Sequence, residues 1–199
     1  MLQQPQRRTK HEVIAEAMAF SAAHNSSGAF PIPIDAMAER LGLFIIEIPE
    51  LRKVAGVAGE ISKDLSEIQI DAILLKQHRD SYRHTIAHEL AHAVLHRELI
   101  LSFPVEDKQS WKEFLALQDP GLSDQVEKEA RIFARYVLVP TTKLVDSWNM
   151  ASALLVQQGR KMADLTDESK SVIASNIARQ FIVPSPMVQR RLIDEQLYE

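Results

Sequence analysis

The segment His88-Glu89-Leu90-Ala91-His92 constrains the fold of this chain more than any other feature of its sequence. Histidines four residues apart lie on the same face of an α-helix, where both imidazoles can reach one metal ion. Glu89 directly follows the first histidine, and there it can accept a proton from a metal-bound water. The sequence therefore predicts a helix that carries a zinc site, with His88 and His92 as ligands and Glu89 as the catalytic base.

The residues around this motif also favour a helix. No Gly or Pro lies between Thr85 and His96, and the apolar residues of this stretch fill one half of a helical wheel. The other half carries His88, Glu89, His92 and His96, so an amphipathic helix with chance histidines on its polar face is the less favoured alternative. His96 lies roughly 80° around the helix from His88. We therefore expect His96 to support a ligand or to cap the helix.

A catalytic zinc site needs a third protein ligand, and a second helix near residues 126–137 offers two candidates. Apolar residues repeat there at helical spacing, and Pro140 bars further helix. Glu127 falls on the buried side of this helix and Glu129 on its flank. A carboxylate among apolar residues needs a cation. The interpretation of Glu127 as a zinc ligand is thus preferred to Glu129, and to a salt bridge between Glu127 and a nearby Arg or Lys.

Composition restricts the possible ligands and the class of protein. The chain has 199 residues, of which 46% are hydrophobic, enough for one sizeable core. It contains no cysteine, so a zinc site must use histidine and carboxylate. We find no signal peptide and no apolar run of membrane-spanning length, and we expect a cytoplasmic protein. A net charge of −4 disfavours broad nucleic-acid binding.

Several segments resemble the ImmA/IrrE family of metallopeptidases. They lie at residues 85–96, 127–140, 177–184 and 190–192, and the resemblance extends in order over about residues 10–195. It implies a zinc site formed by His88, His92 and Glu127. One position differs, because Arg131 stands where family members usually have Asn.

The order of predicted elements and this resemblance together indicate an α+β protein. We expect a mainly helical, zincin-like metallopeptidase with a small, about three-stranded antiparallel sheet and a helical C-terminal tail. The peptidase domain is placed at residues 1–146, and a helix-turn-helix-like subdomain packed on it at residues 147–199. The resemblance further implies an endopeptidase that cleaves a partner helix-turn-helix transcriptional repressor, and so relieves repression in a stress response or during induction of a mobile element.

The individual elements follow from periodicity and from turn residues. The predicted elements are a helix at 12–24, a short helix capped by Asp35 and stopped by Gly42, a strand at 43–48, a hairpin of 54–61 and 68–75 around 63–66, a helix within the long connection 98–123 at 109–117, a cap at Ser123 or Asp124, and a helix at 150–162 broken at Gly159.

Two further hypotheses concern the substrate. The strand at 68–75 precedes the metal helix, and we expect it to be the edge that pairs with an extended peptide, an internal strand being the alternative. The candidates for a supporting or oxyanion-stabilising group are His96, His84, Tyr82 and Tyr136.

A DNA-binding or regulatory scaffold protein is the alternative function. Residues 171–181 and 186–193 resemble a helix-turn-helix pair around a turn at 183–185. Only Arg190 and Arg191 are basic in its second helix, and acidic residues follow them. A tail packed on the peptidase core is therefore preferred, and direct nucleic-acid binding is not expected.

Overall fold

A small sheet precedes the helix that carries His88 and His92, and helices form most of the remaining structure. The computed structural model describes residues 7–102 and 121–197. In chain order the elements are α1 (Lys10–His24), α2 (Ile34–Arg40), β1 (Phe44–Ile48), α3 (Leu51–Ala55), β2 (Gly59–Ile61), β3 (Glu67–Asp71), α4 (Ala72–Gln77), α5 (Arg79–Leu95), α6 (Arg97–Leu101), α7 (Leu122–Leu138), α8 (Thr141–Gln157), a short 3-10 helix (Met162–Asp164), α9 (Asp167–Phe181) and α10 (Ser185–Asp194). This confirms the predicted α+β, mainly helical fold. The helix expected at 109–117 lies outside the described residues.

The three strands form a mixed sheet in the order β1-β3-β2, not the expected antiparallel one. β2 pairs antiparallel with β3, as the predicted hairpin requires, whereas β1 pairs parallel with β3, with Phe44 opposite Glu67. The difference arises at residues 51–55, which form α3 instead of the start of a strand. Glu50 and Gly56 flank α3 in left-handed conformations, and the chain crosses over before β2 begins.

The predicted strand at 68–75 is shorter than its apolar pattern suggests, because Asp71 ends it. One carboxylate oxygen of Asp71 accepts a hydrogen bond from the backbone N–H of Ile73 at 2.9 Å and so caps α4. The other accepts from the backbone N–H of Arg52 at 2.7 Å. Hydrogen bonds from Arg52 and Ile73 lower the pKa of Asp71. Residues 72–75, which the apolar pattern assigned to the strand, therefore form the first part of α4.

β3 is the central strand, so the expectation that it offers a free edge to a peptide is wrong. It pairs with β1 on one side and with β2 on the other. The edge strand that packs against α5 is β2. There, a Cβ atom built on Gly59 would lie only 2.5 Å from the Thr85 methyl group of α5.

α5 lies at the centre of the core. It packs against α7, α2, β2 and β3, and Ile86 and Leu90 of α5 are fully buried. α1 covers α7, where the ring centroids of Phe20 and Phe133 are 5.4 Å apart. The helix predicted from the histidine motif is thus a buried structural element as well as a candidate site.

Two predicted helix caps are wrong. α2 begins at Ile34 with Pro33 in the N-cap position, and Asp35 lies in its first turn. α7 begins at Leu122 after Gly121, about one turn earlier than the strong periodicity suggests, so Asp124 lies inside the helix. In both helices the carboxylate near the N-terminus still interacts favourably with the positive end of the helix dipole.

The C-terminal helices pack on this core. α9 and α10 form the expected helix pair, with the hydroxyls of Ser175 and Ser185 2.8 Å apart. α8 starts after Pro140 and ends before Gly159, which has a φ of +72°. The domain division predicted at 146/147 falls inside α8 and stays a prediction. Across residues 7–102 and 121–197, no helix combines the length and apolar character needed to cross a membrane.

Candidate metal site

The antiparallel register of α5 and α7 brings His88, His92 and Glu127 together. Nε2 of His88 lies 3.2 Å from Nε2 of His92 and 3.2 Å from Oε2 of Glu127. Nε2 of His92 lies 3.9 Å from Oε1 of Glu127. One donor atom from each residue falls within 4.8 Å of the others, so the three could hold one metal ion. This is the cluster that the sequence predicted as ligands.

The spacing of these donor atoms fits a tetrahedral zinc ion. Ligand atoms about 2.0–2.1 Å from one zinc are separated from each other by about 3.3 Å in a tetrahedron. Both distances at His88 Nε2 are 3.2 Å, close to that value. Two imidazole nitrogens and a carboxylate oxygen are also a donor set typical of zinc. The residues therefore fit the ion that their types suggest.

Burial leaves one side of the cluster accessible. The side chains of His88 and Glu127 are 14% and 17% exposed, whereas that of His92 is wholly buried. Glu89 is also buried, at 2% exposed. Among the described residues, the side of the cluster that a substrate could approach is that of His88 and Glu127.

Glu129, the less favoured candidate ligand, is buried and does not lie on the flank of α7 where the sequence placed it. Its Oε2 is 3.1 Å from Nε2 of His96, and its Oε1 accepts hydrogen bonds from the Gln125 side chain at 2.7 Å and the Arg8 backbone at 3.0 Å. Burial alone would raise the pKa of Glu129, but the hydrogen bonds from His96, Gln125 and Arg8 outweigh it and lower the pKa. Its partners are protein groups that hold it as a carboxylate.

His96 joins Glu129 to the candidate ligands. Its Nδ1 lies 3.1 Å from Nδ1 of His92, on the side of that ring opposite the cluster. Burial lowers the pKa of His96, although Glu129 partly opposes this effect, so the neutral imidazole is favoured. This placement agrees with the expectation that His96 supports a ligand.

The three remaining candidates occupy different surroundings. Tyr82 is buried beside Asp35, and burial together with this carboxylate raises its pKa to about 12. Tyr136 lies beneath the guanidinium of Arg191, whose central carbon is 3.6 Å from the ring centroid. Only His84 lies next to the cluster, one helical turn before His88, with the ring centroids 6.3 Å apart.

The cations near His84 come from α7. Burial is the main cause that lowers the pKa of His84 to about 4, followed by the charges of His88, Arg135 and Arg131. Arg131 is exposed. Arg131 therefore adds positive charge near His84.

Sequence reasoning missed Gln125 and Arg8. Gln125 stands four residues before Glu129 on α7, a spacing at which helical side chains meet, so a pattern search could have found it. Arg8 contributes a backbone N–H from 121 residues away. Its guanidinium Nη1 also lies 3.6 Å from Oε2 of Glu129, and the large separation along the sequence leaves no local pattern that indicates either contact.

The family comparison covers the whole cluster. Residues 38–192, more than half of the 199-residue chain, match the IrrE N-terminal-like domain of peptidase family M78. The matched region contains α5 and α7 but not Arg8 or α1. No protein with a curated description matches the chain. By the extent of the family match, the chain belongs to the IrrE N-terminal-like family of peptidases.

Proposed function

We propose that this protein is a zinc-dependent endopeptidase. The observation that carries the proposal is the convergence of His88 Nε2, His92 Nε2 and the Glu127 carboxylate. His88 Nε2 lies 3.2 Å from His92 Nε2 and from Glu127 Oε2, and His92 Nε2 lies 3.9 Å from Glu127 Oε1. These three residues would hold the ion. Membership of a peptidase family supports the same activity independently.

Glu89 is the residue we assign as the general base. When bound, zinc would lower the pKa of a coordinated water and polarise the scissile carbonyl. Glu89 accepts the proton of the attacking water and passes it to the leaving amine, so that one water is consumed per peptide bond cleaved. Its burial and its position directly after His88 support this role.

We place the substrate as an extended peptide alongside β2, an outer strand of the sheet in the part of the chain that the structure describes. β2 is the edge strand that packs on α5, the helix that carries Glu89, so a segment paired with β2 would run close to the cluster. This replaces β3, whose two edges are both occupied.

A folded partner protein, a helix-turn-helix repressor, is the substrate we propose from the family resemblance. Cleavage in the cytoplasm would relieve repression in a stress response or during induction of a mobile element. The alternative of a DNA-binding scaffold has less support, because Arg191 of α10 is fully buried and Arg190 lies 3.4 Å from Asp194. Only Arg190, whose side chain is 55% exposed, could reach a phosphate backbone, and a single cation gives little affinity for one.

Metal content and cleavage test the proposal together. The purified protein should bind about one zinc per chain, and His88→Ala and Glu127→Ala should each lose it. The exposed His78 gives a matched control, and His78→Ala should keep full metal.

The metal-loaded protein should then be incubated with the product of the neighbouring gene, as the candidate repressor, and with short peptides. Cleavage of the repressor that disappears in Glu89→Gln supports the assignment. Full metal in Glu127→Ala with loss in Glu129→Ala would overturn the ligand set.

A further inference from the structure

A chain of buried polar groups extends from the candidate site behind His92. It runs through contacts of 3.1 Å from Nδ1 of His92 to Nδ1 of His96 and 3.1 Å from Nε2 of His96 to Oε2 of Glu129. All three residues are at most 4% exposed. Buried polar contacts of this kind are conformationally demanding, because each donor needs an acceptor.

Metal ligation fixes which group donates in each hydrogen bond from His92 through His96 to Glu129. If Nε2 of His92 offers its lone pair to a metal, the ring carries its proton on Nδ1 and donates to Nδ1 of His96. His96 then carries its proton on Nε2 and donates to Glu129, which as a carboxylate only accepts. One arrangement of protons therefore satisfies both imidazoles and leaves the metal-facing nitrogen of His92 unprotonated.

The far end of the chain is fixed by two donors. Oε1 of Glu129 accepts from Nε2 of Gln125 at 2.7 Å and from the backbone N–H of Arg8 at 3.0 Å. Gln125 also donates to the Arg8 carbonyl at 3.1 Å, so these two groups are held to each other. Arg8 precedes residue 38, where the family match begins.

We propose that His96 and Glu129 are positioning residues for His92, an inference that rests on the proposed metal site. They hold the His92 ring in the orientation and tautomer that ligation requires, and Gln125 and Arg8 hold the carboxylate in place. A histidine is thus interposed between the ligand and its carboxylate. The N-terminal segment before the family match completes the support of the site.

Two substitutions break the chain at different points. His96→Phe keeps a buried ring but removes both hydrogen bonds. Glu129→Gln presents one oxygen and one NH₂ group, so either His96 or the Gln125 and Arg8 donors must face another donor. Loss of such an outer partner typically weakens metal binding by about 10–100-fold. We expect this range for both variants.

The measurement is the zinc dissociation constant by competition with a chelator, together with the visible spectrum of the cobalt-substituted protein. Both variants should bind zinc more weakly and alter the cobalt bands, which report ligand geometry. The double variant should bind zinc about as tightly as whichever single variant binds it less tightly. The two effects should not add, because both residues act through the same series of hydrogen bonds. Gln125→Ala should show a smaller loss of affinity and provides a milder test if His96→Phe does not fold.

Controls separate positioning from general stability. Lys10→Met removes the 2.8 Å contact between Nζ of Lys10 and Asp194, which involves neither Glu129 nor its partners, and it should keep full affinity. The free energy of unfolding should be measured with chelator and with saturating zinc. A positioning role reduces the difference between the two values, whereas a purely structural role lowers both equally.

The outcomes distinguish this inference from the proposed function. Wild-type binding that His88→Ala abolishes supports the metal site. If His96→Phe and Glu129→Gln then match wild type in affinity and cobalt spectrum, the positioning role is overturned alone. If wild type binds no zinc, the metal site fails and the positioning role fails with it.

Discussion

Two helix contacts, α5 with α7 and α10 with the α7–α8 junction, both bury ionisable side chains, but they use them differently. In α10, the fully buried Arg191 donates to the Val139 carbonyl at 3.2 Å and to the Thr141 hydroxyl at 2.8 Å, and it pairs with Glu195. All these groups belong to the fold. Between α5 and α7, three donor atoms instead converge on one point. A buried charge whose partners surround it stabilises the protein, whereas convergent donors suit a ligand.

Glu89→Gln tests the catalytic side of this comparison with the largest expected effect. The amide is nearly isosteric with the carboxylate but cannot accept the proton, so turnover should fall by about 10²–10⁴-fold. Zinc content and the free energy of unfolding should stay at wild-type values. Single-turnover cleavage of the repressor measures the effect, and undiminished turnover would exclude Glu89 as the base.

Arg191→Met tests the structural side. The variant keeps much of the side-chain volume but leaves the Val139 carbonyl and Glu195 without their cation, so unfolding should become easier by about 3 kcal/mol. Zinc affinity of the folded protein should not change. Urea unfolding and chelator competition measure the two quantities. Weakened zinc binding in this variant would mean that the two helix contacts are coupled.

Glu127→Ala should give the opposite result. Metal binding should be lost, while the free energy of unfolding of the metal-free protein changes by less than about 1 kcal/mol, because residues at binding sites are often selected for function over stability. The same two measurements apply. A large loss of stability in the metal-free state would place Glu127 with Arg191 as a structural charge.

The smallest effect is a pH dependence at His84. The pKa of about 4 in the folded protein lies below the ordinary histidine value of 6.5, so the unfolded chain binds the proton more readily between these pH values. The free energy of unfolding is therefore unaffected by His84 above pH about 6.5. It decreases as the pH falls towards about 4, because the unfolded chain gains a proton that the folded protein does not. In the metal-free protein, His84→Gln should reduce this loss. Unfolding curves from pH 7 to 4 that coincide in slope with wild type would contradict the assignment.

Local sequence patterns predicted the helices of the site well. The histidine spacing and the absence of Gly and Pro determine α5, and the periodicity around Val126 and Phe133 determines α7. These are properties of single helices. The facing argument placed Glu127 on the buried side of α7 and Glu129 on its flank, but Glu129 is 2% exposed and the Glu127 side chain 17%. Helix direction alone did not predict how the neighbouring segments cover the two residues.

Interactions between distant segments were beyond such patterns. The parallel pairing of β1 depends on a crossover through α3, which no periodicity of β1 reveals. The end of β3 depends on the backbone of Arg52, and the support of Glu129 on the backbone of Arg8. Backbone groups have no residue-specific signature, so a sequence cannot indicate which of them a carboxylate will meet.

The contact between Gly59 and Thr85 has a consequence for where a peptide could be cut. Because a methyl group at residue 59 would lie only 2.5 Å from the Thr85 methyl group, the Thr85 side chain packs directly on the backbone of β2 at this point. Thr85 stands four residues before Glu89 on the same helix. The backbone of β2 and the proposed base Glu89 are therefore held at a fixed distance from each other. A peptide paired along β2 would have the position of its scissile bond set by backbone register and not by recognition of its side chains.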